Sequence, residues 1–314
     1  MNLSEDHWHR VSPFQSLLLI ILISFTGFLF IGPFIGLIFS LPFFEGSIMD
    51  LVKSQVDPIG NPAMKLPILI TQGTATLIGF IIFPYIYGKQ ILNLHTSQMF
   101  GNTIPSPVII LLTFTIVVVF MGFNSIFIEW NANLTLPESM SGFENWARNI
   151  EDKARLITEY ITTFDHGYEL WISLLVIAVL PAVGEELVFR GFIQNHLYVL
   201  TRNIHLAIWI AAAFFSFFHF QFFGFVPRVL LGALFGYLYV FSGKIIFPML
   251  AHFINNGFTL IMIFFHNKGA LDFDIESTDT VPLSGVFISA VITVVLLYLF
   301  KMYYIRQNQK AVHE

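Results

Sequence analysis

Long uncharged apolar runs alternate with shorter polar segments along the whole chain. Eight runs can be marked from the gaps between charged residues: 11–44, 66–88, 90–128, 170–184, 203–227, 229–243, 245–267 and 280–300. A membrane-spanning helix needs about 20 predominantly apolar residues to cross about 30 Å of hydrocarbon. The pattern therefore predicts an all-α, polytopic membrane protein with about eight transmembrane helices. Pro105 and Pro107 indicate where the third helix starts, and Gly32-Pro33 predicts a kink in the first.

Composition supports this prediction and excludes several classes of protein. Hydrophobic residues make up 56% of the chain and charged residues only 11%, whereas a soluble domain carries about 25% charged residues. The chain has no cysteine, which excludes disulfides, a cysteine nucleophile and cysteine-ligated metal. A net charge of -5 and the absence of phosphate-binding motifs indicate no nucleic-acid partner. The expected partner is the lipid bilayer.

The charges between the runs fall into two sets that alternate along the chain. Segments 45–65, 129–165 and 268–279 are mainly acidic. The basic positions are Arg10, Lys89, Arg202, Lys244, Lys301, Arg306 and Lys310. Eight crossings place the two sets on opposite sides, and basic segments favour the cytoplasm. We therefore expect both termini to be cytoplasmic, and the short tails favour a bacterial cytoplasmic membrane.

The segment 131–166, between the third and fourth helices, predicts an acidic amphipathic helix. Apolar residues recur there at roughly helical spacing: Met140, Phe143, Trp146, Ile150, Leu156 and Ile157. A helix on the membrane surface fits this pattern, either as a cap on the bundle or as a substrate gate. The single membrane domain 1–314 divides into four parts. They are scaffold helices at 1–130, the extramembrane loop at 131–166, a core at 167–265, and a loop, last helix and basic tail at 266–314.

Charged side chains inside the apolar runs are confined to the second half of the chain, and charge in a membrane is costly enough to suggest function. The fourth run leads directly into Glu185 and Glu186. Adjacent side chains on a helix point about 100° apart, so these carboxylates cannot share one direction. Glu186 can pair with Arg190 four residues later. Glu185 is then available as a general acid or base. The alternative is that the two carboxylates only form a charge cluster where the helix end meets the membrane surface.

Two further runs contribute histidine and asparagine. His219 lies in an aromatic stretch, where a lone histidine is more often a core residue than a catalyst. Simple counting places it deeper than the other polar groups, so its helix must tilt or break. His252 and Asn256 are one turn apart and can both donate hydrogen bonds to an oxyanion. Asn255 points elsewhere, and we expect it to make helix–helix hydrogen bonds.

Three motifs, each within a different apolar run, occur in order along the chain. They are Glu185-Glu186-x-x-x-Arg190, Phe215-x-x-x-His219 and His252-x-x-x-Asn256. Together they resemble the signature of the CPBP intramembrane proteases, also called the CAAX-protease and bacteriocin-processing family, or Abi. The resemblance covers about residues 167–265. It implies a glutamic endopeptidase of eight helices in which Glu186 and Arg190 form a supporting pair.

The same resemblance assigns four catalytic roles. Glu185 and His219 would activate a water that attacks the peptide bond, and His252 and Asn256 would stabilise the oxyanion. It implies neither a cofactor nor a metal, and the substrate would be a membrane-embedded or membrane-proximal peptide or protein. The sequence carries no signal for an oligomeric state.

Two alternatives remain open from the residues themselves. Carboxylates and imidazoles can bind zinc, so a metal-dependent hydrolase could use Glu185, Glu186, His219 and His252 as ligands. A non-enzymatic scaffold, or an ion path, could also use intramembrane polar groups. The chain has no HExxH motif of a zinc protease and no Gly-x-Ser-x-Gly motif of a serine hydrolase.

Overall fold

The computed structural model describes residues 11–56, 58, 60–100, 105–164, 166–271 and 281–313. Every regular element within these ranges is helical. The helices are α1 (Pro13–Phe43), α2 (Ile48–Val56), α3 (Pro62–Gln90), α4 (Thr96–Phe100), α5 (Pro107–Ala132), α6 (Ser141–Thr162), α7 (Gly167–Thr201), α8 (Ile204–Phe217), α9 (Phe225–Ser242), α10 (Ile246–Asn267) and α11 (Leu283–His313). The predicted fold class is confirmed. Arg10, Asp165 and most of the acidic segment 268–279 lie outside the described residues.

Seven helices in the described part are long and apolar enough to span a membrane: α1, α3, α5, α7, α9, α10 and α11. The fifth predicted run, 203–227, differs from expectation. Its helix α8 has only 14 residues, or about 21 Å at 1.5 Å per residue. The chain then turns at residues 218–224, here called the His219 turn, before α9 begins. The break that residue counting required is therefore present, directly before His219.

Three of the spanning helices widen into a π-helical turn just before a proline. The turns are Gly27–Ile31 before Pro33, Leu77–Ile82 before Pro84, and Leu174–Val179 before Pro181. Proline lacks an N–H group and its ring clashes with the preceding turn, so the regular hydrogen-bond ladder cannot continue. The kink predicted at Gly32-Pro33 takes this form.

The helix α7 lies between the N-terminal scaffold and the rest of the bundle. Phe189 of α7 packs edge-on against Phe25 of α1 and Phe215 of α8, with ring centroids 6.4 and 5.2 Å apart. The scaffold helices α1 and α3 pack closely, because a Cβ at Gly32 would lie 2.5 Å from the Cα of Ala75. Small residues at such a contact are typical of membrane helices. This packing fixes α7, which carries the first motif.

The predicted amphipathic helix is α6, and we call it the surface helix. Its polar face carries charges, and exposed apolar side chains lie on and beside it: Met140, Phe143, Trp146 and Leu156. Exposed Trp130 and Trp171 lie at the adjoining ends of α5 and α7. Tryptophan is enriched at the membrane–water boundary, so this arrangement fits a helix lying at one face of the bundle.

Candidate active site

Glu186 joins two helices through one oxygen. Its Oε1 accepts hydrogen bonds from Nη1 of Arg190 at 2.7 Å and from Nδ1 of His252 at 2.8 Å. Glu186 is 0% exposed and Arg190 is 1% exposed. The predicted pairing of Glu186 with Arg190 is confirmed, and His252 of α10 extends it. Hydrogen bonds between charged groups are stronger than neutral ones, so this contact ties α10 to α7.

The Arg190 guanidinium is compensated on its other sides as well. Its Nη2 donates to the carbonyl of Gly232 in α9 at 2.8 Å. Its Cζ lies 4.7 Å from the ring centroid of Phe215 and 5.4 Å from that of Phe235. A buried cation needs this combination of counter-ion, acceptor and aromatic faces. Gly232 and Phe235 were not identified from the sequence, since neither carries a reactive group.

The ring of Phe215 brings the two motif histidines to one place. The His219 ring packs edge-on against it with centroids 4.9 Å apart, and the His252 ring does so at 5.9 Å. The His252 ring also stacks on Phe235 at 5.3 Å. Phe215 therefore has a direct packing role in the cluster, which its place in the motif did not reveal.

The tautomer of His219 follows from its backbone contact. Nδ1 lies 2.8 Å from the carbonyl oxygen of Phe215. A carbonyl can only accept, so Nδ1 carries the hydrogen and Nε2 has the lone pair. His219 is exposed although Phe215 is buried. In the neutral ring, Nε2 is therefore the nitrogen that can accept a proton.

Glu185 lies beside this cluster with an unpaired oxygen. Its Oε2 is 4.0 Å from Nε2 of His252, which is beyond hydrogen-bond distance. That oxygen is buried and has no hydrogen-bond partner among the described residues. The side chain as a whole is 15% exposed. Oε2 of Glu186 also has no partner there, but its Oε1 accepts two hydrogen bonds, so the expectation that Glu185 is the freer of the two carboxylates is confirmed.

Asn256 makes the interhelical contact that the sequence assigned to Asn255. Its Nδ2 donates to the carbonyl of Ile177 in α7 at 3.0 Å, and its Oδ1 accepts from Asn255 at 3.1 Å. That carbonyl would bond the N–H four residues later in a regular helix, but residue 181 is proline. The prediction for Asn255 was wrong, because Asn256 has the orphaned carbonyl within reach. One N–H of the Asn256 amide remains for another acceptor.

Asn131, buried at the end of α5, fixes the end of the His219 turn. Its Oδ1 accepts from the N–H of Val226 at 2.8 Å, and its Nδ2 donates to the carbonyl of Phe222 at 3.2 Å. Arg228 of α9 contacts Gln221 and the carbonyl of Gly224 in the same turn. Asn131 was missed from the sequence, although an asparagine at the end of an apolar run was a usable signal.

The carboxylates and imidazoles of this cluster do not form a metal-binding arrangement in the part of the chain that the structure describes. No group of three or more His, Asp or Glu side chains there is arranged to hold a metal ion. Glu186 and His252 are instead hydrogen bonded to each other.

The fold and the cluster together define a polytopic helical membrane protein with a buried Glu–Arg–His site. Residues 167–258 match the family described as "Type II CAAX prenyl endopeptidase Rce1-like". This segment contains all three motifs, so the resemblance is confirmed for it, and it supports a CAAX-type membrane protease in general terms.

A curated relative is the protein YpbD of Bacillus subtilis (strain 168), which is described as uncharacterized. It is 29% identical over 85 residues, which cover 26% of this chain and 40% of YpbD. The aligned region thus spans less than half of the relative's length. No solved structure gives a significant match.

Proposed function

We propose that the protein is a glutamic-type intramembrane endopeptidase. The observation that carries the proposal is the unpaired Oε2 of Glu185, 4.0 Å from Nε2 of His252, within the segment that matches the protease family. The Glu185 carboxylate, together with the His219 imidazole, whose Nδ1 hydrogen is bonded to the carbonyl of Phe215, is suited to general acid–base catalysis. The proposed catalytic residues are Glu185, His219, His252 and Asn256, with Glu186 and Arg190 in support.

In the proposed reaction, Glu185 and Nε2 of His219 accept a proton from water as its oxygen bonds to the carbonyl carbon of the substrate. The carbonyl electrons move to oxygen and give a tetrahedral oxyanion. The oxyanion electrons then re-form the carbonyl as the carbon–nitrogen bond breaks, and the accepted proton passes to the leaving nitrogen, so that the products are a carboxylic acid and an amine. Each step conserves charge and needs no further reactant.

In the proposed mechanism, His252 stabilises the oxyanion. Glu186 accepts from Nδ1 and so orients the ring, and a hydrogen on Nε2 would donate to the developing negative charge. The remaining N–H of Asn256 would be the second donor. Arg190 holds the Glu186 carboxylate in place through a 2.7 Å hydrogen bond, which makes the Glu186–Arg190 pair a support for His252 rather than a reacting group.

The proposed substrate is a peptide or protein within or next to the bilayer. We also propose a bacterial cytoplasmic membrane with both termini on the cytoplasmic side, from the distribution of basic residues. The scaffold, loop and core divisions at 1–130, 131–166 and 167–265 belong to this proposal.

The proposal is tested with purified protein and a proteome-derived peptide mixture, read by mass spectrometry. Glu185→Ala and His219→Ala should each lower the cleavage rate by at least about 100-fold, the scale of lost acid–base catalysis. Glu138→Ala and His95→Ala, in exposed segments, are the matched controls and should cleave normally. Full activity of correctly folded Glu185→Ala would contradict the proposal.

A second arm of this experiment separates the two alternatives. A strong chelator should leave the rate unchanged if Glu185 and His219 activate water directly. A rate that the chelator abolishes and zinc restores would instead favour the metal-dependent hydrolase. Absence of cleavage, together with proton flux in proteoliposomes, would favour the ion path.

A further inference from the structure

The surface helix contacts the His219 turn at two consecutive residues. Oε1 of Glu151 accepts a hydrogen bond from the backbone N–H of Phe223 at 2.7 Å. The Arg148 guanidinium lies over the Phe223 ring, 3.9 Å from its centroid. Nearer the start of the helix, Phe143 packs edge-on against Phe222 with centroids 5.3 Å apart. The extramembrane loop is therefore in direct contact with the segment that carries a proposed catalytic histidine.

The turn needs external support to keep its shape. Phe220, next to His219, has φ 53°, a left-handed conformation that is unfavourable for a bulky residue. Such a conformation persists only where surrounding contacts enforce it. The N–H of Phe223 also lies outside the helical ladders of α8 and α9, and an unsatisfied backbone group at a buried site is costly. Glu151 supplies the acceptor.

The anchoring side of the surface helix is itself fixed in place. Arg148 donates to Oε1 of Glu144 at 2.8 Å and to the carbonyl of Leu134 at 2.7 Å. Oε2 of Glu144 in turn accepts from the N–H of Leu136 at 2.8 Å. The helix is thus clamped to the end of the preceding segment, one turn from Glu151. The surface helix therefore offers Glu151 a fixed position from which to hold the His219 turn.

Glu151 is held away from bulk water at this contact. The pKa of the Glu151 carboxyl is raised above its ordinary value, chiefly by burial. The Phe223 N–H and the charges of Arg228 and Arg148 oppose this rise only in part. Arg228 also contacts the carbonyl of Gly224 in the turn. Glu151 of the surface helix and Arg228 of α9 therefore both bind backbone groups of the His219 turn, at Phe223 and Gly224.

We propose that Glu151 is a positioning residue that holds the His219 turn and thereby aims the His219 ring at the substrate. The surface helix is then part of the frame of the active site, neither a passive cap nor a substrate gate. The kinetic consequence rests on the proposed function. The effect on the His219 ring rests on the contacts alone.

Three variants of the full-length protein test the proposal. Glu151→Ala removes the acceptor, Glu151→Gln keeps an oxygen acceptor without the charge, and Glu159→Gln is the control. Glu159 lies on the same helix, where its side chain pairs with Arg155 at an exposed position. Each variant should still unfold in a single cooperative thermal transition, which would show that it folds, although Glu151→Ala should melt at a somewhat lower temperature because the Phe223 N–H loses its acceptor.

Cleavage is measured with a fluorogenic peptide chosen from the products of the mixture experiment. Glu151→Ala should lower kcat about 10-fold, the effect of losing a hydrogen bond to a charged group, with KM within about twofold. Glu151→Gln should recover most of kcat, and Glu159→Gln should match the parent. A raised KM with unchanged kcat would show a gate and overturn the proposal.

Histidine ring NMR provides a readout that does not depend on activity. The His219 signal is assigned by its loss in His219→Ala, using ¹⁵N-histidine-labelled protein. It should shift in Glu151→Ala and stay in place in Glu159→Gln. An unmoved signal in Glu151→Ala overturns the proposal, whatever the kinetics show. If the parent protein cleaves nothing, the proposed function fails, and a moved signal still supports the positioning role.

Discussion

At the scale of single residues, one carboxylate oxygen satisfies two buried partners. Glu186 accepts from Arg190 and from His252, and all three side chains are buried. Burying such a pair costs desolvation free energy. Removing one partner costs much more, because the remaining buried charge then has no counter-ion. The stability of the site and the orientation of His252 therefore depend on the same atom.

We expect Glu186→Ala to lower the free energy of unfolding by about 3–5 kcal/mol, since it leaves the Arg190 guanidinium buried without a counter-ion. It should also abolish cleavage, because Nδ1 of His252 loses its acceptor. Denaturant titration of the purified protein measures the first effect. The double variant Glu186→Ala/Arg190→Met should regain much of the stability but none of the activity. Parental stability in the single variant would contradict this.

Some of these residue contacts follow from spacing and others do not. The i,i+4 pairing of Glu186 with Arg190, and the separate direction of Glu185, follow from helix geometry alone. The bond from His252 to Glu186 joins residues 66 positions apart, and no local pattern encodes that separation. Glu151 was missed for a related reason, since a charge on a solvated helix is ordinary unless the fold brings it against a turn.

At the scale of helices, a proline follows three of the π-helical turns, and the turn before Pro181 has a partner across the bundle. Pro181 leaves the carbonyl of Ile177 without its usual donor, and Asn256 of α10 fills that place at 3.0 Å. Prolines are tolerated in membrane helices where a neighbour satisfies the freed group in this way. The contact couples α7 to α10 four residues beyond His252.

We expect the stability effects of Pro181 and Asn256 to be coupled. Asn256→Leu should lower the free energy of unfolding by about 1 kcal/mol, the usual scale of an interhelical hydrogen bond in a membrane. In a Pro181→Ala background the loss should be smaller, because the introduced alanine has a backbone N–H that can donate to the carbonyl of Ile177. Denaturant titration of all four proteins gives the coupling energy.

The same four proteins separate structural from catalytic roles of Asn256. If Asn256 is also an oxyanion donor, cleavage should stay low in the double variant even though its stability recovers. Strictly additive stability effects would show that the Ile177 contact contributes nothing. The stability measurements thus test the bond from Asn256 to Ile177, and the cleavage measurements test the proposed role of Asn256 as an oxyanion donor.

The end of α8 shows what apolar patterning cannot predict. Residues 203–227 contain no formal charge, so hydropathy alone predicts one span there. The helix ends at Phe217, and contacts made by other parts of the chain hold the turn that follows it: Ser216 donates to the carbonyl of Phe225 at 2.7 Å, and Asn131 binds backbone groups of Phe222 and Val226. Gly224 is the one local signal of a break.

At the scale of the whole molecule, the scaffold and the site are separated along the chain. The helices α1 and α3 contribute packing, whereas α7, α8 and α10 contribute the polar cluster. The short α8 still connects the two faces of the bundle, because the His219 turn meets the surface helix and the end of α5. Beyond the seven candidate spans of the described residues, we propose that α8 and its turn form an eighth crossing.

An even number of crossings makes a prediction about topology. With eight, the termini share one side with the segment around His95, and the surface helix lies on the other. The chain has no cysteine, so single substitutions give clean labelling sites: Asp152→Cys on the surface helix, His95→Cys, and a cysteine added at either terminus.

In intact bacterial cells, a membrane-impermeant maleimide should label Asp152→Cys readily. It should label His95→Cys and the terminal cysteines only after permeabilisation, because basic segments remain in the cytoplasm. Terminal cysteines that differ from each other would mean an odd number of crossings, with α8 not counted. Labelling of His95→Cys but not Asp152→Cys would invert the topology, and the surface helix with its contact to the His219 turn would then face the cytoplasm.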